Sequence, residues 1–536
     1  MKKLLYSLFV LLSSILIAQE KPRLVVGIVV DQMRYDYISR YYSDFGQGGF
    51  KRLIEDGFVF KNAHYNYIPT KTGPGHASIF TGTTPARHGI IGNDWYEPSI
   101  NRRVNCVEDT TVLVVGGVSN GQVSPKNLYT TTITDELKLY YNFSSKVIGI
   151  SLKDRGAVLP AGHNPNGAYW YDLRSGKMIT STYYSEKLPK WLEDYNKEKR
   201  PFKLLSGQWE LFKDEDSYNE SIADENEFEQ PIRSGMGVSF PHNLSKYKKD
   251  PSVLKYTPFT NTMIKEVALR AIDGESLGKD SIPDFLSISF SGTDDIGHRF
   301  GPRSMEVQDT YLRLDEEISE LLNYLDESVG ENNYLVFLSS DHGATDVPSY
   351  MYKNKMPGGY HNNGYIKSLL TDELSKIYGD GEWISSIINE QVYLNHGLIN
   401  SKNLNATEVK KIVIKTLMKE DYVVEAFDKD LVANRNFTDP VLIRLQNGYN
   451  NKRSGDVLYN LTPSNLNDAF GRKGTDHRTP YAYDTHIPII FYGHSIKKGS
   501  SIRQVDIIDI APSLSLLLDI SFPSGNTGNP LKELFE

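Results

Sequence analysis

The chain has 536 residues, 39% of them apolar, with a formal net charge of −8. That is enough apolar side chain for one large core, and the acidic balance argues against nucleic acid as a partner. Any anionic ligand must therefore be drawn in by local positive charge, from paired bases or from metal ions.

Lys2 and Lys3 precede an apolar run from Leu4 to Ala18. This reads as a secretory signal peptide over residues 1–18, because the run is short for a span of about 20 residues. No later stretch is apolar enough to cross a bilayer. The mature chain from residue 19 is expected to be secreted or periplasmic, a monomer without a stable membrane anchor. The single cysteine, Cys106, excludes an internal disulfide. Its neighbours supply no base, so it reads as a buried, inert thiol.

Leu24 to Val30 is a continuous β-branched run, the pattern of a buried parallel strand. Asp31 follows it, where open α/β sheets place ligands. A helix is predicted over Arg34–Tyr42. Thr72 comes next, in Thr-Gly-Pro-Gly-His ahead of a helix start at His76–Phe80. A hydroxyl there faces unpaired backbone N–H groups and the positive end of a helix dipole, a site for an anion. It becomes a nucleophile only if its proton is removed or masked.

Thr134–Tyr141 reads as a helix capped by Thr134, and Lys146–Ser151 as a core strand with Lys153 and Arg155 just beyond it. From about 162 to 280 the chain turns polar and reads as a cap of loops and hairpins, returning through a helix over Asn261–Ala271. Phe285–Phe290 is a strand. Met305–Leu325 is a helix with Val307, Tyr311, Leu314, Ile318, Leu321, Leu322 and Leu325 on one face. Tyr334–Leu338 is a strand. A second insertion covers about 350–470, with a helix over Glu408–Met418 and a strand near Val441–Leu445. Ile487–Phe491 is a late strand and Asp506–Leu518 a final helix. The alternation predicts one α/β domain over 19–536, with a central, mostly parallel sheet flanked by helices and two inserted cap segments.

Six residues near strand ends suit a metal. Asp294 and His298 are four apart, which puts them on one face of a helical turn. Asp341 and His342 follow a strand, as Asp31 does. His477 sits in a loop ahead of a strand, with His486 as its rival. They divide into Asp294, His298 and His477, and Asp31, Asp341 and His342, the latter joined by the Thr72 oxygen. Three protein ligands with an open position is the catalytic zinc pattern, and two metals about 4 Å apart can hold an attacking and a leaving oxygen. Lys153 and Arg155 suit the charged non-bridging oxygens of a phosphate monoester; a diester would waste their charge.

The stretches TKTGPGHASIFTG, HGIIGNDW, SLKDRGAVLPAGH, GTDDIGH and SSDHGA resemble the alkaline phosphatase superfamily. They are most similar to its single-domain, zinc-dependent, phosphate-irrepressible alkaline phosphatases with a threonine nucleophile, over nearly the whole mature chain. The resemblance implies a covalent phosphothreonine at Thr72, a hydrogen bond from Asn93 to a phosphate oxygen, and contacts from Lys153 and Arg155 to the same phosphoryl group. It also implies two zinc ions per chain and small phosphate monoesters as substrates, with broad specificity. In that family the late histidine is usually followed by glycine; here Arg478 follows His477. Two alternatives stay open. A phosphodiesterase or nucleotide pyrophosphatase of the same superfamily would share Thr72, Asn93 and the metal ligands but not the Lys153–Arg155 pair. An exported metal- or phosphate-binding protein would need no activatable hydroxyl.

Overall fold

The computed structural model describes residues 21–119, 121–468 and 471–536; the predicted signal peptide lies outside them. Eleven strands form one sheet. Its centre is five parallel strands in the order Tyr334–Ser339, Leu24–Val30, Asp284–Phe290, Val147–Ser151 and Gly167–Asp172. Every residue of Leu24–Val30 is buried, as its unbroken apolar run requires. Val26, Ile28 and Val30 pack on one face against Leu314 and Ile318 of the helix Met305–Ser328. Val25 and Val29 pack on the other with Ile79, Phe80 and Leu514. Gly27 keeps the strands close, since a Cβ there would stand 2.7 Å from the ring of Phe337.

The late strand, His486–Gly493, runs antiparallel to both neighbours, Tyr334–Ser339 and Phe58–His64. The segment read as a cap from about 162 begins instead as sheet: Gly167–Asp172 and Lys177–Ser181 extend the main sheet. After residue 190 this segment leaves the sheet, and the helix Phe259–Gly274 brings it back.

The second inserted segment carries a sheet of its own, in the order Ile384–Ile388, Gln391–Leu394, Val457–Leu461 and Val423–Asp428. The helices Asn363–Tyr378 and Ala406–Leu417 share a separate core with it, through Leu370, Leu374, Val409 and Val413. Val441–Leu445 is not a strand but part of the helix Pro440–Gly448. Asp439 accepts the N–H groups of Val441 and Leu442, and Pro440 stands at the first helical position, so the cap outweighs the β-branched pattern. Thr132, not Thr134, caps the helix Ile133–Tyr140, in a reciprocal box with Asp135. The final helix is Ile510–Leu518, entered through a 3₁₀ turn at Ile507–Asp509.

Candidate active site

The parallel strands end at one edge, which gathers residues far apart in sequence. Asp31 follows the Leu24 strand, and Asp341 and His342 follow the Tyr334 strand. Lys153 and Arg155 follow the Val147 strand. Asp294 and His298 lie on the helix Gly292–Phe300, directly after the Asp284 strand, with His298 Nε2 3.1 Å from Asp294 Oδ1. His477 reaches the same edge, 3.7 Å from that oxygen. His486 does not: its ring stacks on His64 and Tyr35, and its Nε2 faces the carbonyl of Lys61.

Two groups could each hold a metal ion, Asp294 with His298 and His477, and Asp31 with Asp341 and His342. Their atoms fit that role. Asp31 Oδ1, Asp341 Oδ2, His342 Nε2 and Thr72 Oγ1 are buried with no hydrogen-bond partner. Unpaired polar atoms in a protein interior are costly, and a cation held by Asp31, Asp341 and His342 would satisfy their three. The three histidines are tied at the other ring nitrogen. His342 Nδ1 donates to Gly343 O (2.9 Å), His298 Nδ1 to Thr475 O (2.7 Å) and His477 Nδ1 to Thr70 O (2.6 Å). This fixes the tautomer that presents Nε2 to a metal.

The electrostatics are those of crowded carboxylates. Burial, then the charge of Asp294, raises the Asp31 carboxyl; burial and Asp31 raise Asp341 well above its ordinary value. Burial also works against the charge of Asp294, but His298 and Lys153 outweigh it and hold that carboxyl well below the usual range. Burial lowers His342 to about 3, which keeps it neutral and able to ligate.

Thr72 is the first residue of its helix, Thr72–Thr81, rather than lying ahead of it. Few backbone donors remain for an anion. Gly73 N–H donates to Asn93 Oδ1 (2.7 Å), Pro74 has no N–H, and Gly75 N–H bonds Lys71 O. Positive charge must come from side chains and metal. Asn93, anchored through its oxygen, has its amide NH₂ left to donate. Lys153 Nζ bridges Asp31 Oδ2 (2.8 Å) and Asp294 Oδ2, drawn between two buried carboxylates instead of facing outward. Arg155 lies 3.6 Å from Asp154, and its Nε is buried and unpartnered. Asn93, Lys153, Arg155, His298 and His477 line one cavity of about 690 Å³. Ile387, Ile388 and Asn389 bring the second inserted segment into the same wall.

One residue at the centre escaped the sequence reading. Gln32 donates from its backbone N–H to Asp341 Oδ1 (3.1 Å) and from Nε2 to Asp294 Oδ1 (2.6 Å), joining the two groups. Its φ of 64° is the one signal, and it is visible only in the fold. His76, on the Thr72 helix, lies between Thr72 O (2.9 Å) and Ser289 Oγ (2.9 Å), 3.4 Å from Asp341. Cys106 is buried, and its thiol is pushed up by burial.

A parallel sheet with acidic and histidine groups at the carboxyl edge and a hydroxyl at a helix start defines a phosphoryl-transfer hydrolase fold. Residues 25–466 match the type I phosphodiesterase / nucleotide pyrophosphatase family model, and the chain belongs to that family. It is 44% identical to alkaline phosphatase PafA of Elizabethkingia meningoseptica, over 96% of this chain and 95% of that one. A calcium-transporting ATPase of Myroides odoratus is 43% identical, over 96% and 95%. Alkaline phosphatase PhoV of Synechococcus elongatus is 42% identical, over 96% and 93%. The crystal structure of wild-type PafA superposes with a TM-score of 0.94, covering 96% of this chain and 99% of that one.

Proposed function

We propose that this chain is an exported phosphate-monoester hydrolase, an alkaline phosphatase, with Thr72 as nucleophile and two zinc ions. The observation that carries it is that the Thr72 hydroxyl, at the start of a helix packed on Asp341, is buried and unpaired like the atoms of the candidate ligand group Asp31, Asp341 and His342. Bound metal ions supply positive charge where the attacking and leaving oxygens gain negative charge. Around them, the chain's own residues do the rest. Thr72 Oγ1, held at the helix start, would attack phosphorus and displace the leaving group. Asn93 and Arg155 take the non-bridging oxygens, and Lys153 joins them by leaving its carboxylate pair. Asp31, Asp341 and His342 form the set beside the nucleophile; Asp294, His298 and His477 form the set beside the leaving group. His477, not His486, completes the latter, because His486 is stacked between Tyr35 and His64 with its Nε2 on the Lys61 carbonyl.

Relatives at 42–44% identity are named alkaline phosphatases, and the Lys153–Arg155 pair matches the charge of a monoester. An ATPase, as one relative is named, is also a phosphoryl-transfer enzyme. The small substrate enters the 690 Å³ cavity, whose size exceeds one phosphate and leaves room for varied leaving groups. The test is hydrolysis of an aryl phosphate and of its methyl ester by metal-depleted protein with zinc restored. Higher kcat/KM on the monoester is expected; the reverse would favour a phosphodiesterase, and no hydrolysis of either would leave a binding protein.

A further inference from the structure

The rings of His342 and His477 stack with centroids 3.4 Å apart and planes 12° from parallel. They stand on separate loops, one after the Tyr334 strand and one ahead of the His486 strand, so something must hold those loops in register. Both converge on Asp484, in the turn Ala482–Thr485. Asp484 Oδ2 accepts the N–H of Arg478 (2.9 Å), the N–H of Thr479 (2.7 Å) and the Thr479 hydroxyl (2.7 Å). The backbone carbonyl of the same residue accepts Gly343 N–H at 2.8 Å, and the carbonyl of Tyr483 accepts Ala344 N–H at 3.0 Å. The approach leaves no space: a Cβ on Gly343 would stand 2.1 Å from the Tyr483 carbonyl oxygen.

Asp484 is fully buried, so each of these bonds is shielded from water. The held turn is also a strained one. Arg478 has φ 143°, a region that favours glycine. Its side chain is fastened by ion pairs to Asp476 and to Glu390 (3.3 Å), and its N–H by Asp484. Released from those partners, the turn would relax and carry His477 with it.

We propose that Asp484 is a positioning residue that sets His342 against His477, and through them the affinity of both metal sites; this rests on the two-metal reading above. It belongs to neither candidate ligand group and does not line the cavity. It acts by bracing one histidine loop with its carboxylate and the other with its peptide carbonyl. Outer partners of metal ligands commonly alter metal affinity by about 10- to 100-fold.

Zinc affinity, measured by competition with a chromophoric chelator, tests this in wild type, Asp484→Ala, Asp484→Asn and Thr479→Val. Asp484→Ala removes the carboxylate that braces the His477 loop and keeps the carbonyl that holds the His342 loop, so it is expected to weaken the His477 site by about 10- to 100-fold and the His342 site less, through the ring stack. Thr479→Val, which removes one of the three side-chain bonds, should weaken them less. Asp484→Asn should lie between, because its amide oxygen still accepts. These two milder variants keep the test open if Asp484→Ala does not fold. Wild-type affinity in every folded variant, with only a lowered Tm, would overturn the brace and leave a structural residue; loss confined to the His342 site would overturn it too. Wild-type protein that holds no zinc would defeat the metal reading itself, and the brace with it.

Discussion

On the proposed reading, the choice of ester turns on Lys153. Its ammonium lies between Asp31 and Asp294, within reach of the cavity that Arg155 also lines. A monoester carries more negative charge on its non-bridging oxygens than a diester, so these two cations should favour the monoester transition state. Replacing both with alanine is expected to lower monoester kcat/KM by on the order of 3 kcal/mol, the scale of other charge-stabilising donors, and diester kcat/KM much less. An unchanged ratio would mean that the pair serves only the fold. Thr72→Ala is expected to abolish turnover while zinc and inorganic phosphate still bind, as read by elemental analysis and by calorimetry. Hydrolysis at the wild-type rate would place the nucleophile elsewhere. The residues with chemistry in their side chains were legible because carboxylates and imidazoles after apolar runs are uncommon. Gln32 was not, since its importance lies in a backbone N–H and an amide that only the folded edge brings to Asp341 and Asp294. Nor could the sequence show that Asn93 would consume the Gly73 donor that an anion was expected to use.

Among the elements, the Thr72 helix shows how tightly the proposed nucleophile is seated. A Cβ at Gly75 would lie 2.3 Å from Asp341 O and 2.6 Å from Asp341 Cβ. Gly75→Ala must therefore displace the loop that bears Asp341 and His342. We expect weaker zinc retention on dialysis and a matching loss of activity, larger than for alanine at an exposed helical site. The helix Ile133–Tyr140 makes a separate, pH-dependent contribution. Its capping Asp135 also pairs with His163 (2.8 Å). Burial alone would lower the His163 pKa, but the hydrogen bond and charge of Asp135 outweigh it and raise it above 6.5. The stabilisation is complete below 6.5 and is lost as pH rises through the folded value. The Tm gap between wild type and His163→Gln should be wider at pH 6 than at pH 9; equal gaps would show that the pair contributes no charge effect. Strands with unbroken apolar runs were readable because burial on both faces leaves no alternation to misjudge. Val441–Leu445 misled because a β-branched run says nothing of Asp439, whose carboxylate begins a helix. The strands at Gly167 and Lys177 were missed because tyrosine, tryptophan and threonine bury well yet dilute an apolar pattern.

For the whole molecule, the metal sites are also a matter of stability. Asp31 and Asp341 are fully buried and close enough to oppose each other's ionisation. Chelation is expected to lower the Tm, and added zinc to raise it with concentration as binding to the native state alone requires. A Tm indifferent to zinc would count against both sites. The strand order has one more result. His486–Gly493 separates Phe58–His64 from Tyr334–Ser339, so the strand leading to Thr72 meets the sheet's centre only through a segment near the other end of the chain. A product ending at residue 470 would possess the nucleophile and five of the six candidate ligands, but two open strand edges and no His477. Such unfinished chains should show no cooperative melting and no hydrolysis. The topology thus withholds a working phosphatase from any copy that ends before residue 493, and during synthesis the strand that joins the proposed nucleophile to the candidate ligands arrives late, ahead only of the short strands Gly499–Ser501 and Val505–Asp506.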